Sequence, residues 1–239
     1  MHTTRRPIGV FDSGIGGLTV VKALVEELPS ESIVYFGDTA RVPYGTKSKS
    51  TIVKFSLENV EFLLRFDVKC IIIACNTSSS WALPTLRKYF KVPMIGVIRP
   101  GAIAAVRQTR TKRIGVIGTR ATIQSRAYEV AIHRLDPTVK VFSQSCPLFV
   151  PLVETGWLNG SVCRDVTTQY LTPLKQQRID TLILGCTHYP LLAPTLQRVL
   201  GPHVALIDSA QQTIAEVRGL LMGSDLLCDL TRASSIACS

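Results

Sequence analysis

Branched aliphatic runs of strand length recur along the chain near 7–11, 33–36, 70–74, 94–98, 113–117, 139–143, 181–185 and 204–207. Between them lie longer segments with apolar residues at helical spacing, including 17–28, 49–66, 79–90, 100–109, 122–135, 160–176, 190–200 and 210–222. Continuous apolar runs suit strands buried on both faces, and strands alternating with helices predict α/β layering around largely parallel sheets. Right-handed crossovers then carry the C-terminal end of every strand, and any site built there, to one edge.

The pattern also repeats. Ile8-Gly9-Val10-Phe11-Asp12-Ser13 is echoed by Ile114-Gly115-Val116-Ile117-Gly118-Thr119, and Ile71-Ile72-Ile73-Ala74-Cys75-Asn76-Thr77 by Leu182-Ile183-Leu184-Gly185-Cys186-Thr187-His188. The offsets from Ile8 to Ile114 and from Cys75 to Cys186 are nearly equal, so the chain reads as a duplicated half rather than a short-repeat solenoid. The expectation is two similar α/β domains, each a largely parallel sheet flanked by helices, pseudo-symmetric, with the active site in the cleft between them. Residues 1–98 plus 209–222 form the first domain and 99–208 the second, the last helix packing back onto the first half. Residues 223–239 have weak periodicity and end in small polar residues, which predicts a frayed or loosely docked tail. No low-complexity linker separates the halves, and this favours a rigid body with a cleft.

Composition narrows the class. With 46% hydrophobic and 18% charged residues over 239 positions, the chain has material for a sizeable core. No apolar run approaches the roughly 20 residues that span a bilayer, and Met1–Pro7 leads into a single strand-length run rather than a signal-peptide core. A cytoplasmic protein with no membrane partner is expected. The seven cysteines are odd in number and lack any Cys-x-x-Cys pair, which argues for free thiols against a disulfide framework or a zinc site of close cysteine pairs. Cys70, Cys146, Cys163, Cys228 and Cys238 read as small buried hydrophobes. The net charge is +10, and between Asp67 and Glu129 there is no acidic residue but eleven lysines and arginines. These spread over several elements without interleaved aromatics, so solvated surface is preferred and nucleic-acid binding disfavoured.

Candidate chemistry gathers at the strand ends. Cys75 and Cys186 each follow a buried strand and precede a helix, where the positive end of the dipole is expected to lower a thiol from about 8.5 toward neutrality. Asn76, Thr77 and Thr187 read as helix caps whose position also leaves free amides for a ligand. His188, two residues past Cys186, is placed to share or supply a proton. Asp12-Ser13-Gly14-Ile15-Gly16-Gly17 follows the first strand and can hold a carboxylate or phosphate; it has neither the Gly-x-Gly-x-x-Gly spacing nor the Gly-Lys-Ser/Thr ending of a nucleotide loop. Tyr44-Gly45 ends a turn-rich segment on the same edge. Glu154 stands at a helix end, unfavourable against the dipole, and that cost hints at function. Two matched thiols suggest proton chemistry on both faces of one carbon.

Four ordered blocks, Phe11–Gly17, Tyr35–Thr39 with Pro43-Tyr44-Gly45, Ala74–Thr77, and Leu184–Pro190, resemble the signature segments of glutamate racemases in the aspartate/glutamate racemase superfamily. The resemblance covers all but the terminal tail. It implies interconversion of L- and D-glutamate without a cofactor or metal, supplying D-glutamate for peptidoglycan, with Cys75 and Cys186 as the two acid/base residues. It further implies that Asp12, Ser13, Tyr44, Gly45, Asn76, Thr77, Thr187 and His188 bind the amino acid, and that Asp12, His188 and Glu154 assist proton transfer. The alternatives are an aspartate or broader amino-acid racemase on the same scaffold and a catalytically silent two-lobed binding or regulatory protein. A homodimer is left open. Arg99 stands where many similar sequences carry an acidic residue, which points to an altered domain junction. The short N-terminus argues against obligate activation by a peptidoglycan precursor.

Overall fold

A computed structural model of the chain describes residues 3–228. Its first half runs β1 (Ile8–Asp12), α1 (Leu18–Glu27), β2 (Ile33–Gly37), α2 (Lys49–Leu64), β3 (Cys70–Ile73), α3 (Asn76–Trp81), α4 (Leu83–Tyr89), β4 (Met94–Gly96). The second continues α5 (Ile98–Gln108), β5 (Arg113–Gly118), α6 (Arg120–Gln124), α7 (Ala127–Leu135), β6 (Lys140–Ser145), α8 (Phe149–Glu154), α9 (Ser161–Gln176), β7 (Thr181–Gly185), α10 (Ala193–Leu200), β8 (Ala205–Ile207), and α11 (Ser209–Gly223) closes the series. The strands form two sheets in the orders β2-β1-β3-β4 and β6-β5-β7-β8, and every pairing is parallel. Each sheet therefore has the same order of strands, and β3 and β7 hold the same inner position. The repeat seen in the sequence is a repeat in space.

Several helices differ from the periodic pattern for local reasons. The segment expected as one helix over 79–90 is two, parted at Ala82, because Pro84 in the first turn of α4 has no amide to continue the helical ladder. The segment over 122–135 parts at Arg126, which adopts φ +54° between α6 and α7. The helix expected from 190 opens with a 3-10 turn at Tyr189–Leu192. Strand β4 stops at Gly96, short of the expected 98, because α5 begins at Ile98.

Apolar packing assigns the helices. Ala210, Ile214, Val217 and Leu221 of α11 share a core with Ile8, Val10, Leu24 and Ile72 of the first sheet. Ile98, Ala102 and Ala105 of α5 pack with Ile114, Val116 and Ile183 of the second. Arg99 ties these two helices together, its Nη1 2.9 Å from Glu216 Oε1 on an exposed face away from the cleft. At the opposite edge of the first sheet the Lys69 ammonium is sealed against Glu31 and also donates to the carbonyls of Thr4 at 2.7 Å and Leu226 at 2.8 Å. Glu31 in turn accepts from the Cys228 amide at 2.8 Å, so the opening residues of the expected tail are pinned. The rest of that tail, 229–239 with Cys238, lies outside the described residues. Among the described residues no helix is long and apolar enough to cross a membrane.

Candidate active site

Both sequence-singled cysteines arrive by the same route. Strand β3 is buried throughout and delivers Cys75 to the N-cap position of α3; strand β7, equally buried, delivers Cys186 one residue past its end. The two sulfurs, buried but for a few per cent of each residue, line one narrow cleft at the C-terminal edge of the sheets. Ser13, Tyr44, Gly45, Asn76, Thr77, Glu154, Thr187 and His188 line it too. Every residue expected at the site except Asp12 thus borders the cleft, and Asp12 stands directly behind it.

Each thiol has its own partner. The Cys75 sulfur is 3.5 Å from the Ser13 hydroxyl, while the Cys186 sulfur is 3.7 Å from His188 Nδ1. His188 Nε2 lies 3.2 Å from Glu154 Oε1, which explains the acidic residue at the end of α8: the imidazole offsets its unfavourable place on the helix. Asp12 is fully buried, accepts from the Gly14 amide at 3.0 Å, and receives the Thr187 hydroxyl from the other half at 3.5 Å. This crossing is tight enough to require glycine nearby, since a Cβ on Gly16 would stand 2.4 Å from Thr187 Oγ1 and 2.7 Å from His188 Nδ1.

The helix-cap reading of Asn76, Thr77 and Thr187 does not hold. Cys75 is the N-cap of α3 and no side chain caps it; His188 precedes the 3-10 turn, also without a cap bond. The polar side chains are used between the halves instead. Thr77 Oγ1 meets Thr119 Oγ1 at 3.0 Å and Thr122 Oγ1 at 3.1 Å, Tyr128 donates to Asn76 Oδ1 at 2.7 Å, and the Trp81 indole donates to the Ala121 carbonyl at 2.9 Å. The Asn76 amide nitrogen is buried with no protein partner. Tyr44 is an anchor: its hydroxyl donates to Asp38 and accepts from Asn59 Nδ2 at 3.1 Å, and Arg41 joins both of those residues and Glu58.

Electrostatics also depart from the dipole argument. Burial raises the Cys75 thiol above its ordinary value, helped by the Asp12 charge, while the Ser13 hydroxyl and the amide and hydroxyl of Ser78 pull the other way. Burial raises Cys186 as well, against the His188 amide, with Cys75, Asp12 and Glu154 adding to it. Asp12 itself is raised by burial, opposed by His188 and by the amides of Gly14, Gly17 and Ser13. The dipole loses because α3 has only six residues and Cys186 is followed by a 3-10 turn, whereas desolvation of a fully enclosed sulfur is large. Both thiols are therefore protonated at neutral pH.

The sequence reading did not single out Thr119, Val42, Pro43 and Val150, which also line the cleft. Thr119 carried a signal, because it occupies in the second copy the place of Ser13 in the first. Among the described residues no group of three or more His, Cys, Asp or Glu side chains is gathered as metal ligands.

Two enclosed thiols with separate proton partners, at equivalent strand ends of a doubled α/β fold, define a class: an enzyme of proton transfer on a small polar molecule. The chain belongs to the Asp/Glu/Hydantoin racemase family, whose model matches residues 8–217. It is 57% identical over 205 residues to the glutamate racemase of Syntrophus aciditrophicus, covering 86% of this chain and 76% of that one. To the glutamate racemase of Geobacter metallireducens it is 50% identical over 222 residues, 93% of this chain and 82% of its relative. Among solved structures it matches glutamate racemase isoform RacE1 of Bacillus anthracis with a TM-score of 0.92 at 45% identity, over 95% of this chain and 85% of that one. The glutamate racemase of Francisella tularensis, solved in complex with D-glutamate, gives 0.89 at 45% identity, over 94% and 84%.

Proposed function

We infer that the chain is a glutamate racemase that interconverts L- and D-glutamate by two-base proton transfer at Cα. The observation that carries this reading is the convergence of Cys75 and Cys186 on one small cleft, each with a different proton partner. One sulfur, as thiolate, takes the Cα proton; the electron pair left on Cα is held by the conjugated carboxylate; the other sulfur, as thiol, returns a proton to the opposite face. Proton count and charge are conserved, and the roles exchange when the reaction runs backwards.

The enclosed cleft serves this chemistry in two ways. It excludes water from a carbanion-like intermediate, and it aims fixed donors at a substrate carboxylate. Asn76 Nδ2 has no other partner, and Ser13, Thr77, Thr187 and the Tyr44–Gly45 segment line the same space. Asp12, a buried carboxyl, suits the substrate ammonium, whose charge would favour its ionised form. That cation also relieves the burden on the thiols, since a positive charge in the cleft lowers both of them. His188 and Glu154 form a relay that takes or gives the Cys186 proton.

The same reading divides the chain into 1–98 plus 209–222 and 99–208, supported by the packing of α11 on the first sheet and of α5 on the second. A cytoplasmic location belongs to it as well, since reducing compartments keep thiols available, and the product D-glutamate would feed peptidoglycan. Incubation of L-glutamate with the purified protein in deuterated water yields D-glutamate carrying deuterium at Cα. Folded protein that incorporates no solvent label overturns the reading, and L-aspartate in the same assay reports the strictness of the side-chain choice.

A further inference from the structure

Tyr128 of α7 is fully buried in a slot between two glycines. A Cβ on Gly101 of α5 would stand 3.3 Å from one edge of its ring, and a Cβ on Gly185, the residue before Cys186, 3.2 Å from the other. From that slot the phenol reaches out of the second half and donates to Asn76 Oδ1 at 2.7 Å, next to Cys75. Burial keeps the phenol protonated, so it has a proton to give to that oxygen. The side-chain oxygen of Asn76 is therefore occupied and its nitrogen, buried and unpartnered, is left for the cleft.

We propose that Tyr128 is a positioning residue that fixes the Asn76 side chain with its amide nitrogen toward the substrate carboxylate, while its ring spaces the backbone beside Cys186 from α5. The proposal rests on the reading of Asn76 as a binding residue. Without this partner the amide can turn its oxygen toward the carboxylate, where the two repel, and the Asn76 oxygen loses its own buried hydrogen bond. Holding one orientation is worth about one hydrogen bond, on the order of tenfold in affinity. Both enantiomers share the carboxylate grip, so both must feel the loss.

The test is Tyr128→Phe, which keeps the ring in its slot and removes only the hydroxyl. KM rises about tenfold for L- and for D-glutamate, with kcat changed by much less. In an Asn76→Ala background, where there is no amide to orient, Tyr128→Phe leaves kcat/KM unchanged. A merely structural tyrosine would instead lower kcat/KM by the same factor in both backgrounds, and that result overturns the proposal. So does an unchanged KM in Tyr128→Phe when Asn76→Ala alone raises it. An unchanged KM in Asn76→Ala itself removes the binding role of Asn76, and the proposal with it, by a separate route. Tyr128→Met, which likewise keeps an apolar group in the slot and removes the hydroxyl, raises KM in the same direction and serves where Tyr128→Phe is too unstable to assay; no rise there counts against the proposal.

Discussion

Glu154 and His188 meet at 3.2 Å through Nε2 of the imidazole, and this contact determines what the ring shows to Cys186. A carboxylate beside Nε2 keeps a proton there, so in the neutral ring the lone pair is on Nδ1, 3.7 Å from the sulfur. The thiol can pass its proton to that lone pair, and the imidazolium so formed is stabilised by Glu154. Glu154→Gln keeps an oxygen to accept from Nε2 but removes the charge, and lowers kcat roughly tenfold, the worth of one charge-assisted bond. His188→Asn costs more, about a hundredfold. Steady-state rates in both directions, followed by circular dichroism of glutamate, decide; an unchanged Glu154→Gln rate removes the relay.

Cys75→Ser and Cys186→Ser each lose net racemisation by about a thousandfold or more, since a serine hydroxyl is too weak a base at neutral pH. Each variant keeps one thiol and therefore exchanges the Cα proton of one enantiomer with solvent, without inversion, and the two variants prefer opposite enantiomers. Proton NMR of L- and of D-glutamate in deuterated water reads this directly. Exchange of the same enantiomer by both variants would contradict a two-base mechanism.

Both thiols are raised by burial, so the thiolate fraction at a given pH is smaller than for an exposed cysteine, and alkylation of Cys75 and Cys186 by iodoacetamide climbs only above the ordinary thiol range. Asp12 pushes both upward. Removing its charge in Asp12→Asn shifts the alkylation curve of each to lower pH, even as turnover falls through loss of the ammonium partner. Peptide mapping by mass spectrometry at a series of pH values checks the direction, and a shift to higher pH would be the contrary result.

The same carboxylate bears on stability. Its folded pKa is raised from 3.8, so the native state binds the proton more tightly than the unfolded chain and its contribution falls as pH rises through and above that value. Once ionised, the buried Asp12 is a cost, and Asp12→Asn then raises the thermal midpoint by a few degrees while damaging activity. Differential scanning calorimetry at pH 4 and pH 7 should show the stabilisation growing with pH.

Lys69 presents the opposite case. Lys69→Met strands the buried Glu31 carboxylate and destabilises by about 3–5 kcal/mol. The double variant Lys69→Met/Glu31→Leu recovers part of this but not all, because the Thr4 and Leu226 carbonyls and the Cys228 amide lose their partners. Since the pair lies at the edge remote from the cleft, kcat per folded molecule is unchanged. Urea unfolding with parallel assays of the two variants measures both.

Much of this molecule was legible in its sequence. The eight strands, the duplication and the convergence of Cys75 and Cys186 follow from apolar runs that suit only buried strands, and a parallel sheet delivers its strand ends to one edge. The break at Arg126 was not legible, because apolar periodicity continues across it, whereas Pro84 carried a signal of the break at Ala82 that periodicity alone overrode. The thiol ionisation was misjudged for a related reason: the sequence indicates a helix start, but not that burial beside Asp12 outweighs a six-residue dipole. Asn76 and Thr77 looked like caps because their types suit caps. Only the three-dimensional meeting with Tyr128 and Thr119 shows that their hydrogen bonds run across the halves. Tyr128 offered no signal of its own, since one tyrosine in an amphipathic helix has the look of core.

Because α11 returns to the first sheet, the backbone passes between the halves at two places, just before α5 and just before α11, and Gly101 and Ser209 bring those passages together. Two neighbouring crossings tie the sheets at two points rather than one, so the strand ends that carry Cys75 and Cys186 are held in place by continuous backbone as well as by packing.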